Sequence, residues 1–382
     1  MSIKVPLHKP QNTMGKEELE AIREVLASGW LTLGPKTTEF EKVVAKYNDC
    51  LFGVSASCCT SALYMSLYGL EIKKSSLVVV PVNTFASTAS VVRFYGAEPI
   101  FCDVGEDGQI DAKQLENILQ TNSNIECIIP VHLYGYPSNM SEITRLTKEY
   151  DLKMIEDCAQ SQGAKFNGKI VGSFGDAGCF SFYATKNIAT GEGGMLVTDS
   201  EAVKKRALLM RNHCQTKTPS EKIADYHYDI VDLGFNFRMS EIEAAIGLEQ
   251  MKKINSVIKS RREIAKKYKE ELQQIKGIQM LHDPDDNIHE SVFHLLVVKV
   301  EKPYPLTRDE LYRYLQGQGI ITGVQNPPLH YFTYYKKTTQ YKTGDFPVAE
   351  SLYEKILSLP IFPFMTEQEF QAVISALRTK AH

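Results

Sequence analysis

Short apolar runs alternate with longer amphipathic stretches through the first two thirds of the chain. The runs are LVVVP at 77, PIFCDV at 99, CIIPV at 127, KMIED at 153, GCFSF at 178 and GMLVT at 194. The stretches between them have helical patterns at 60–70, 84–95, 111–119, 138–150 and 201–211. Continuous apolar strands are typical of sheets buried on both faces, and each helical stretch is long enough for a crossover connection. The pattern predicts an α/β fold with a mostly parallel sheet between layers of helices.

A long helix is predicted to begin at Ser240. Ser240 and Glu243 have the spacing of a capping box, and the apolar residues that follow recur near the helical period. We expect this helix to extend toward Leu272, with a break near Asn255 and Ser256.

The chain changes character after this helix. It contains a strand-like segment, SVFHLLVVKV at 291–300, a helical pattern at 307–317 and a proline-bearing loop, QNPPLH, at 325–330. A length of 382 residues exceeds that of one typical domain. We therefore expect a large α/β domain with an N-terminal arm over residues 1–250 and a smaller α+β domain over residues 251–382.

Composition and charge restrict the class of protein. Hydrophobic residues make up 43% and charged residues 23%, the balance of an ordinary globular protein rather than of a disordered or fibrous one. The net charge is only −3, so there is no basic field to attract nucleic acid. The opening MSIKVPLHKP lacks a signal-peptide core, and runs such as LVVVPV at 77–82 are far shorter than a membrane span. We expect a cytoplasmic protein that binds neither nucleic acid nor membrane.

The cysteines give no sign of a disulfide framework or a metal centre. The eight cysteines include no Cys-x-x-Cys pair, and they do not combine with the nine histidines at the spacing of metal ligands. We interpret most of them as reduced core residues and expect no metal site.

The segment FSFYATKNIATGEGG, at 180–194, is the most informative about chemistry. A predicted strand ends there in a polar loop that holds one lysine, Lys186, followed by closely spaced glycines. A lysine attacks a carbonyl only as the free amine, which is scarce at neutral pH unless the site desolvates it. A lysine taken at random is usually a solvated surface residue, so Lys186 needs support from its neighbours.

Asp157 gives that support, because it follows the predicted strand KMIE. Ligands of open α/β sheets bind at the carboxyl ends of strands, where an acid can hold the protonated pyridine nitrogen of pyridoxal 5′-phosphate (PLP). Gln160 lies one short turn further and could reach the same ring. Alternatively, Asp157 is the N-cap of a helix formed by the following residues.

The segment SASCCTSAL, at 55–63, places small residues before a predicted helix. The free backbone N–H groups of Thr60 and Ser61 could hold the cofactor phosphate, and Ser181 could add a hydroxyl. Phe85, in VNTFAST, could lie on the cofactor ring. Each feature also has an ordinary interpretation, as a helix cap for the small residues and as core for the aromatic ring.

Taken together, these motifs resemble the DegT-type sugar aminotransferases, within the aspartate-aminotransferase-like (fold type I) class of PLP enzymes. The resemblance covers nearly the whole chain. Its motifs are SGWLTLGP at 28–35, the CTSAL turn, VNTFAST, IIPVHLYG at 128–135, IEDCAQSQGA at 155–164, GSFGDAGCFSFYATKNIATGEGG at 172–194 and LGFNFRMSEIEAAIGLEQM at 233–251. It implies a sheet of seven strands in the large domain.

The resemblance also implies a role for each candidate residue. Lys186 carries PLP as a Schiff base, Asp157 pairs with the pyridine nitrogen, and Gln160 contacts the cofactor oxygen. Phe85 stacks on the ring, while Ser181 and the amides of Thr60 and Ser61 hold the phosphate. Asn236 reaches the phosphate from a second subunit, which implies a homodimer. The candidate substrate contacts are His330, Trp30, Arg211 and Arg238.

One departure from the family pattern concerns the phosphate turn. The family commonly has Asn-Gly-Thr there, whereas this chain has Cys58-Cys59-Thr60. Glycine permits a close backbone approach, so the detail of the cradle is open. The two cysteines are either reactive groups beside the cofactor or, as we favour, small buried fillers.

The activity implied by the resemblance is transfer of an amino group from glutamate or glutamine to a nucleotide-linked keto-sugar. The sequence leaves open the sugar, the nucleotide, amination at C3 or C4, and a cyclitol ketone as acceptor. A PLP-dependent sugar dehydratase is an alternative, although such relatives typically replace the lysine with histidine. A non-catalytic regulatory or binding protein on the same fold is another alternative.

Overall fold

The computed structural model describes residues 3–217 and 226–381. The helices are α1 (Lys16–Ser28), α2 (Pro35–Tyr47), α3 (Cys59–Gly69), α4 (Ala86–Tyr95), α5 (Ala112–Thr121), α6 (Met140–Glu149), α7 (Glu201–Arg211), α8 (Glu241–Leu272), α9 (Arg308–Gly317), α10 (Thr333–Thr338), α11 (Pro347–Lys355) and α12 (Glu367–Thr379). The strands are β1 (Phe52–Ala56), β2 (Leu77–Pro81), β3 (Glu98–Cys102), β4 (Ile125–Ile128), β5 (Lys153–Asp157), β6 (Lys165–Phe166), β7 (Lys169–Ile170), β8 (Ala177–Ser181), β9 (Gly194–Thr198), β10 (Ile278–Met280), β11 (His289–Glu290), β12 (Leu296–Val300) and β13 (Ile356–Leu359).

A seven-stranded sheet forms the centre of the fold, in the order β1-β9-β8-β5-β4-β2-β3. Its pairings are parallel from β8 to β3, and β9 runs antiparallel to both of its neighbours. Each of the six apolar runs forms a strand of this sheet, which confirms the predicted α/β class. The edge strand β1 was not predicted.

Both faces of this sheet are buried, as continuous apolar strands require. Successive residues of β2 enter different apolar clusters: Val78 and Val80 pack on one face and Val79 on the other. The helices α3 and α7 lie against the first face, whereas α5 and α6 cover the second. The burial fixes the register of the strands, and with it the residues at their carboxyl ends.

A smaller antiparallel sheet, in the order β10-β12-β13, forms a second layer. Its apolar face packs on α9, α12 and the end of α8, in a cluster that includes Tyr268, Leu296 and Leu357. Val5, near the start of the chain, bridges to Ile320, so the N-terminal segment lies against this smaller sheet. The predicted domain boundary between residues 250 and 251 falls inside α8 and stays a prediction.

Helix α8 is continuous, so the predicted break near Asn255 and Ser256 is wrong. Both polar residues lie on the exposed side of the helix, whereas Ile254 and Val257 continue the buried stripe. The Ser256 hydroxyl donates to the carbonyl of Lys253 within the helix. In the described part of the chain, no helix combines the length and the apolar character needed to cross a membrane.

Glu241 joins the start of α8 to the start of α2. Its carboxylate is 1% exposed and accepts from the amides of Gly34 (2.8 Å), Lys36 (2.9 Å) and Thr37 (2.8 Å), as well as from the Thr37 hydroxyl. These amides belong to the first turn of α2, which has no partners of its own for them. One buried acid therefore fixes two helices to each other.

We expect Glu241→Ala to lower the free energy of unfolding by about 3 kcal/mol, because buried amides lose charge-assisted hydrogen bonds. Urea denaturation measures this change. Glu263→Ala, which removes an exposed acid from the same helix, is the matched control and should change stability by less than about 0.5 kcal/mol. Equal effects of the two substitutions would contradict the role of Glu241.

Candidate active site

The carboxyl edge of the large sheet opens into a cavity of about 420 Å³. Six of the residues proposed from the sequence line it together: Thr60, Phe85, Asp157, Gln160, Ser181 and Lys186. They come from separate turns that follow β1, β2, β5 and β8, which meet here because parallel strands end at the same edge.

Lys186 lies in a tight loop after β8. Its amide donates to the carbonyl of Tyr183 (2.8 Å), and Tyr183 bridges to Gly191 across the loop. The Lys186 Nζ has no hydrogen bond or salt bridge to another described residue. Burial lowers the pKa of Lys186, and the nearby Cys59 and Asp157 oppose that shift. A desolvated, unpaired amine is the form of lysine that can attack a carbonyl.

Asp157 is the last residue of β5 and is 3% exposed. One carboxylate oxygen accepts from the Ala159 amide (3.1 Å) and the other from the Thr88 hydroxyl (2.8 Å). Burial raises the pKa of this carboxyl, and the two hydrogen bonds oppose the shift. The residues after it form turns and no helix, so the alternative of a helix N-cap is wrong. A buried carboxylate without a salt-bridge partner among the described residues fits a protonated ring nitrogen.

The start of α3 supplies an anion site. Cys58 occupies the N-cap position without a side-chain cap, so the first-turn amides face the cavity beside Thr60. A Cβ at Gly194 of β9 would overlap the backbone of Cys58, so the close approach depends on a glycine in the neighbouring strand. Cys59 is buried, and burial raises the pKa of its thiol, in agreement with a small buried filler. Cys58 is only half-buried and lines the cavity, so the same interpretation is wrong for Cys58.

Two of the residues predicted to contact the cofactor, Ser61 and Gln160, already form side-chain hydrogen bonds within the protein. The Ser61 hydroxyl bonds to the hydroxyl of Ser57 (3.0 Å) and does not line the cavity, which leaves its backbone amide for an anion. The Gln160 side-chain carbonyl accepts from the Tyr134 amide (2.7 Å), which orients its NH₂ group as the remaining donor.

None of the four residues predicted to contact the substrate lines this cavity of its own chain: Trp30, Arg211, Arg238 and His330. Trp30 and Arg211 line a second cavity of about 520 Å³, where Arg211 pairs with Glu41 at 2.5 Å. Arg238 donates to the side chain of Asn212 at 2.7 Å. His330 is 1% exposed, and its Nε2 lies 2.9 Å from the Glu350 carboxylate. Their roles toward a substrate stay predictions.

The cavity-lining residues that sequence reasoning missed include four from outside the strand-end turns of the large sheet: His8, His294, Gln325 and Asn326. They come from the N-terminal segment, the residue pair before β12 and the loop before α10. No local motif marks them, because only the packing of the smaller sheet brings them to this cavity.

A desolvated lysine, a buried acid and an open helix N-terminus around one cavity fit the binding of PLP, as in a fold type I PLP enzyme. The comparisons with known proteins agree. The model of the DegT/DnrJ/EryC1/StrS aminotransferase family matches residues 12–378. The chain belongs to this family, and it is therefore a transaminase that uses PLP.

Relatives extend over nearly the whole chain. An uncharacterized protein of Methanocaldococcus jannaschii is 37% identical over 96% of this chain and 95% of its own length. The spore coat polysaccharide biosynthesis protein SpsC of Bacillus subtilis is 36% identical over 96% of this chain and 94% of its own. Among solved structures, S. venezuelae DesV is 29% identical, with a TM-score of 0.91 over 100% of this chain and 99% of that chain. Helicobacter pylori PseC, an aminotransferase in pseudoaminic acid biosynthesis, is 25% identical, with a TM-score of 0.91 over 98% of both chains.

We expect Asp157→Asn to stabilise the cofactor-free protein at neutral pH while it weakens cofactor binding. The raised pKa of Asp157 means that ionisation costs the folded state stability as pH rises above the unfolded-state value, a loss that asparagine avoids. The stability difference, measured by urea denaturation, should therefore grow as the pH rises above about 4 and level off above the raised folded-state pKa of Asp157. Cofactor affinity should fall about tenfold to a hundredfold, because a hydrogen bond to a charged group is lost.

The matched control is Asp151→Asn, which changes an exposed acid just before β5. It should alter neither the pH dependence of stability nor the affinity for the cofactor. A destabilised Asp157→Asn protein with unchanged cofactor affinity would show that the carboxylate is structural.

Proposed function

We propose that this enzyme transfers an amino group from glutamate or glutamine to C3 or C4 of a nucleotide-linked keto-sugar. The observation that carries the proposal is the unpaired amine of Lys186 in the same cavity as the buried carboxylate of Asp157. The sugar as acceptor is supported by relatives, since SpsC belongs to spore coat polysaccharide biosynthesis and PseC to pseudoaminic acid biosynthesis.

Different residues of the chain would have different roles in such a transfer. PLP, when bound, supplies an electron sink for the carbon that loses or gains a proton. Asp157 would hold the ring nitrogen protonated, and the amides at the start of α3 would bind the phosphate group. The Nζ of Lys186 would move a proton from the α-carbon of the amino donor to the cofactor in the first half-reaction, and from the cofactor to the carbon of the sugar in the second.

Lys186 also favours transfer over the alternative of sugar dehydration. A general base that shuttles a proton between two carbons must be desolvated and free of a fixed partner, and Lys186 has both properties. The sugar dehydratases that resemble this family typically have histidine in place of this lysine.

We further propose that the working enzyme is a homodimer with shared active sites. Apolar side chains are exposed along the segment before α8: Tyr226 (77%), Ile230 (55%), Val231 (53%), Leu233 (89%) and Phe235 (47%). An apolar strip of this length is typical of a surface that another protein covers. Asn236, at its end, does not line the cavity of its own chain, so a phosphate contact by Asn236 requires a second copy.

The first test replaces the reactive amine. We expect Lys186→Ala to abolish transamination and to lose the absorption band of the covalently held cofactor, because no other amine can replace Nζ. After reduction and digestion, mass spectrometry of the wild type should find the cofactor on the Lys186 peptide. Lys165→Ala, at an exposed lysine of β6, is the control and should retain activity.

The acceptor is tested by offering the pyridoxamine form of the enzyme a panel of nucleotide keto-sugars and cyclitol ketones. Initial rates with the converted ketone should give parallel double-reciprocal lines, since both substrates use one site in turn. Intersecting lines would contradict the two-step scheme. Conversion of cyclitols alone would replace the proposed acceptor, and a protein without cofactor band or turnover would support a binding role.

Shared sites are tested by mixing two impaired variants. Asn236→Asp places a negative charge against the phosphate, and Lys186→Ala removes the amine. A mixed dimer should regain activity, because one of its two sites combines an intact Lys186 with an intact Asn236. Lys186→Ala mixed with the double variant is the control and should stay inactive. Activity that does not recover in subunit-exchanged mixtures would argue for sites built within one chain.

A further inference from the structure

Three polar residues from outside the large sheet, His8, His294 and Asn326, line the cavity and are not used by the reaction scheme; we call them the wall. His8 and His294 lie there with their rings stacked, at a centroid distance of 5.6 Å and an interplanar angle of 14°. His294 is 3% exposed, and Asn326 lines the same cavity. These residues come from three distant parts of the sequence and meet only at this cavity.

Three nitrogen atoms on this wall are buried without a hydrogen-bond partner among the described residues. They are Nδ1 of His8, Nδ1 of His294 and Nδ2 of Asn326. Buried polar atoms in folded proteins are nearly always hydrogen-bonded, and exceptions need an explanation. Three of them on one wall of an active-site cavity point to a ligand that completes their hydrogen bonds.

The neighbouring residues hold this wall in place. Arg261, 2% exposed, donates from Nη1 to the carbonyls of Phe293 (3.0 Å), Ile361 (3.1 Å) and His294 (3.3 Å). Asn326 has a left-handed backbone with φ of 43°, a conformation that asparagine adopts more readily than most residues. Beside it, the Gln325 side chain accepts from Ser358 (3.0 Å). These hydrogen bonds hold the backbone at His294 and the side chain of Gln325 without any ligand.

The wall is uncharged. Burial, followed by the charges of Arg261 and Lys186, lowers the pKa of His8 to about 4, and burial lowers the pKa of His294 in the same direction. Both imidazoles are neutral at neutral pH, so each offers one donor and one acceptor. Neutral donors and acceptors suit hydroxyl groups, which do both, whereas a carboxylate favours a cation.

We propose that His8, His294 and Asn326 form a hydroxyl-binding wall that recognises the sugar ring of the acceptor and contributes little to binding of the amino donor. This inference rests on the proposed function and adds the specificity-determining residues to it. A ligand without hydroxyl groups would bind weakly, because it would leave the imidazole nitrogens and the Asn326 side-chain amide without hydrogen-bond partners.

The experiment uses three variants that keep the shape of the wall. His8→Phe and His294→Phe retain an aromatic ring in the stack but remove both nitrogens, and Asn326→Gly removes the amide at a left-handed position that glycine accepts. His289→Phe is the matched control, because His289 also stacks on an aromatic ring, Tyr136, but lies outside the cavity.

Binding is measured by calorimetry on the pyridoxamine form of each enzyme. The probes are UDP-glucose and dTDP-glucose, which have no ketone and cannot react, together with UDP and dTDP. The wild type and His289→Phe should bind the nucleotide sugars about tenfold more tightly than the nucleotides, and the wall variants should lose most of this difference. Conversion of the cofactor by the amino donor, followed by absorbance, should change less than about twofold in every variant.

Each other outcome decides against one of the two proposals. The proposed role of the wall would be contradicted if the wild type bound nucleotide sugars no better than nucleotides. It would also be contradicted if the wall variants kept the wild-type preference for nucleotide sugars. Equal loss of donor conversion, or an altered cofactor absorption band, would assign these residues to the cofactor or to the fold. A wild type that binds neither nucleotides nor nucleotide sugars would contradict the proposed substrate class itself.

Discussion

Strand β5 ends in two consecutive buried carboxylates, Glu156 and Asp157. The architecture of the site depends on the difference between their hydrogen-bond partners. Alternation along the strand sends Glu156 and Asp157 to opposite faces of the sheet. Glu156 is 0% exposed and accepts four hydrogen bonds, from His132 (3.0 Å) and from the amides of Gly172 (2.8 Å), Phe174 (2.7 Å) and Gly175 (2.8 Å). The Ser138 amide donates to Nδ1 of His132, so Nε2 carries the proton that Glu156 accepts. This acid is satisfied within the protein and fixes the loop that leads into β8, whereas Asp157 has no salt bridge to another described residue.

The central part of this arrangement could be predicted from the sequence because its signals are local. The strands before Asp157 and Lys186 are continuous apolar runs, and a parallel sheet brings their carboxyl ends to one edge. β1 was missed because its sequence, FGVSA, combines a glycine and a serine with only two large apolar residues. The break predicted in α8 failed for the opposite reason, since polar residues on an exposed helix face do not interrupt the buried stripe.

The outer part of the site depends on contacts between distant segments, which a single sequence does not reveal. Arg211 has the chemistry of a substrate contact, but Glu41 from α2 binds it in the second cavity. His330 follows two prolines in a loop that suggests a binding site, yet Glu350 of α11 holds its ring. His8 was not predicted as a site residue. Its place in the cavity depends on its stacking with His294, which comes from a distant part of the chain.

A transaminase must accept two different substrates in the same cavity. Lys186 and Asp157 line this cavity at the carboxyl ends of the strands, and His8 and His294 line it from segments outside the large sheet. Burial in this cavity lowers the pKa of Lys186, which makes its amine available, and the same burial lowers the pKa values of His8 and His294, which keeps them uncharged. A protonated histidine at either position would add a cation close to Lys186 and attract the carboxylates of the amino donor. Burial is therefore the first cause of all three shifts: it gives Lys186 a reactive amine, and it keeps His8 and His294 as neutral donors and acceptors that suit hydroxyl groups.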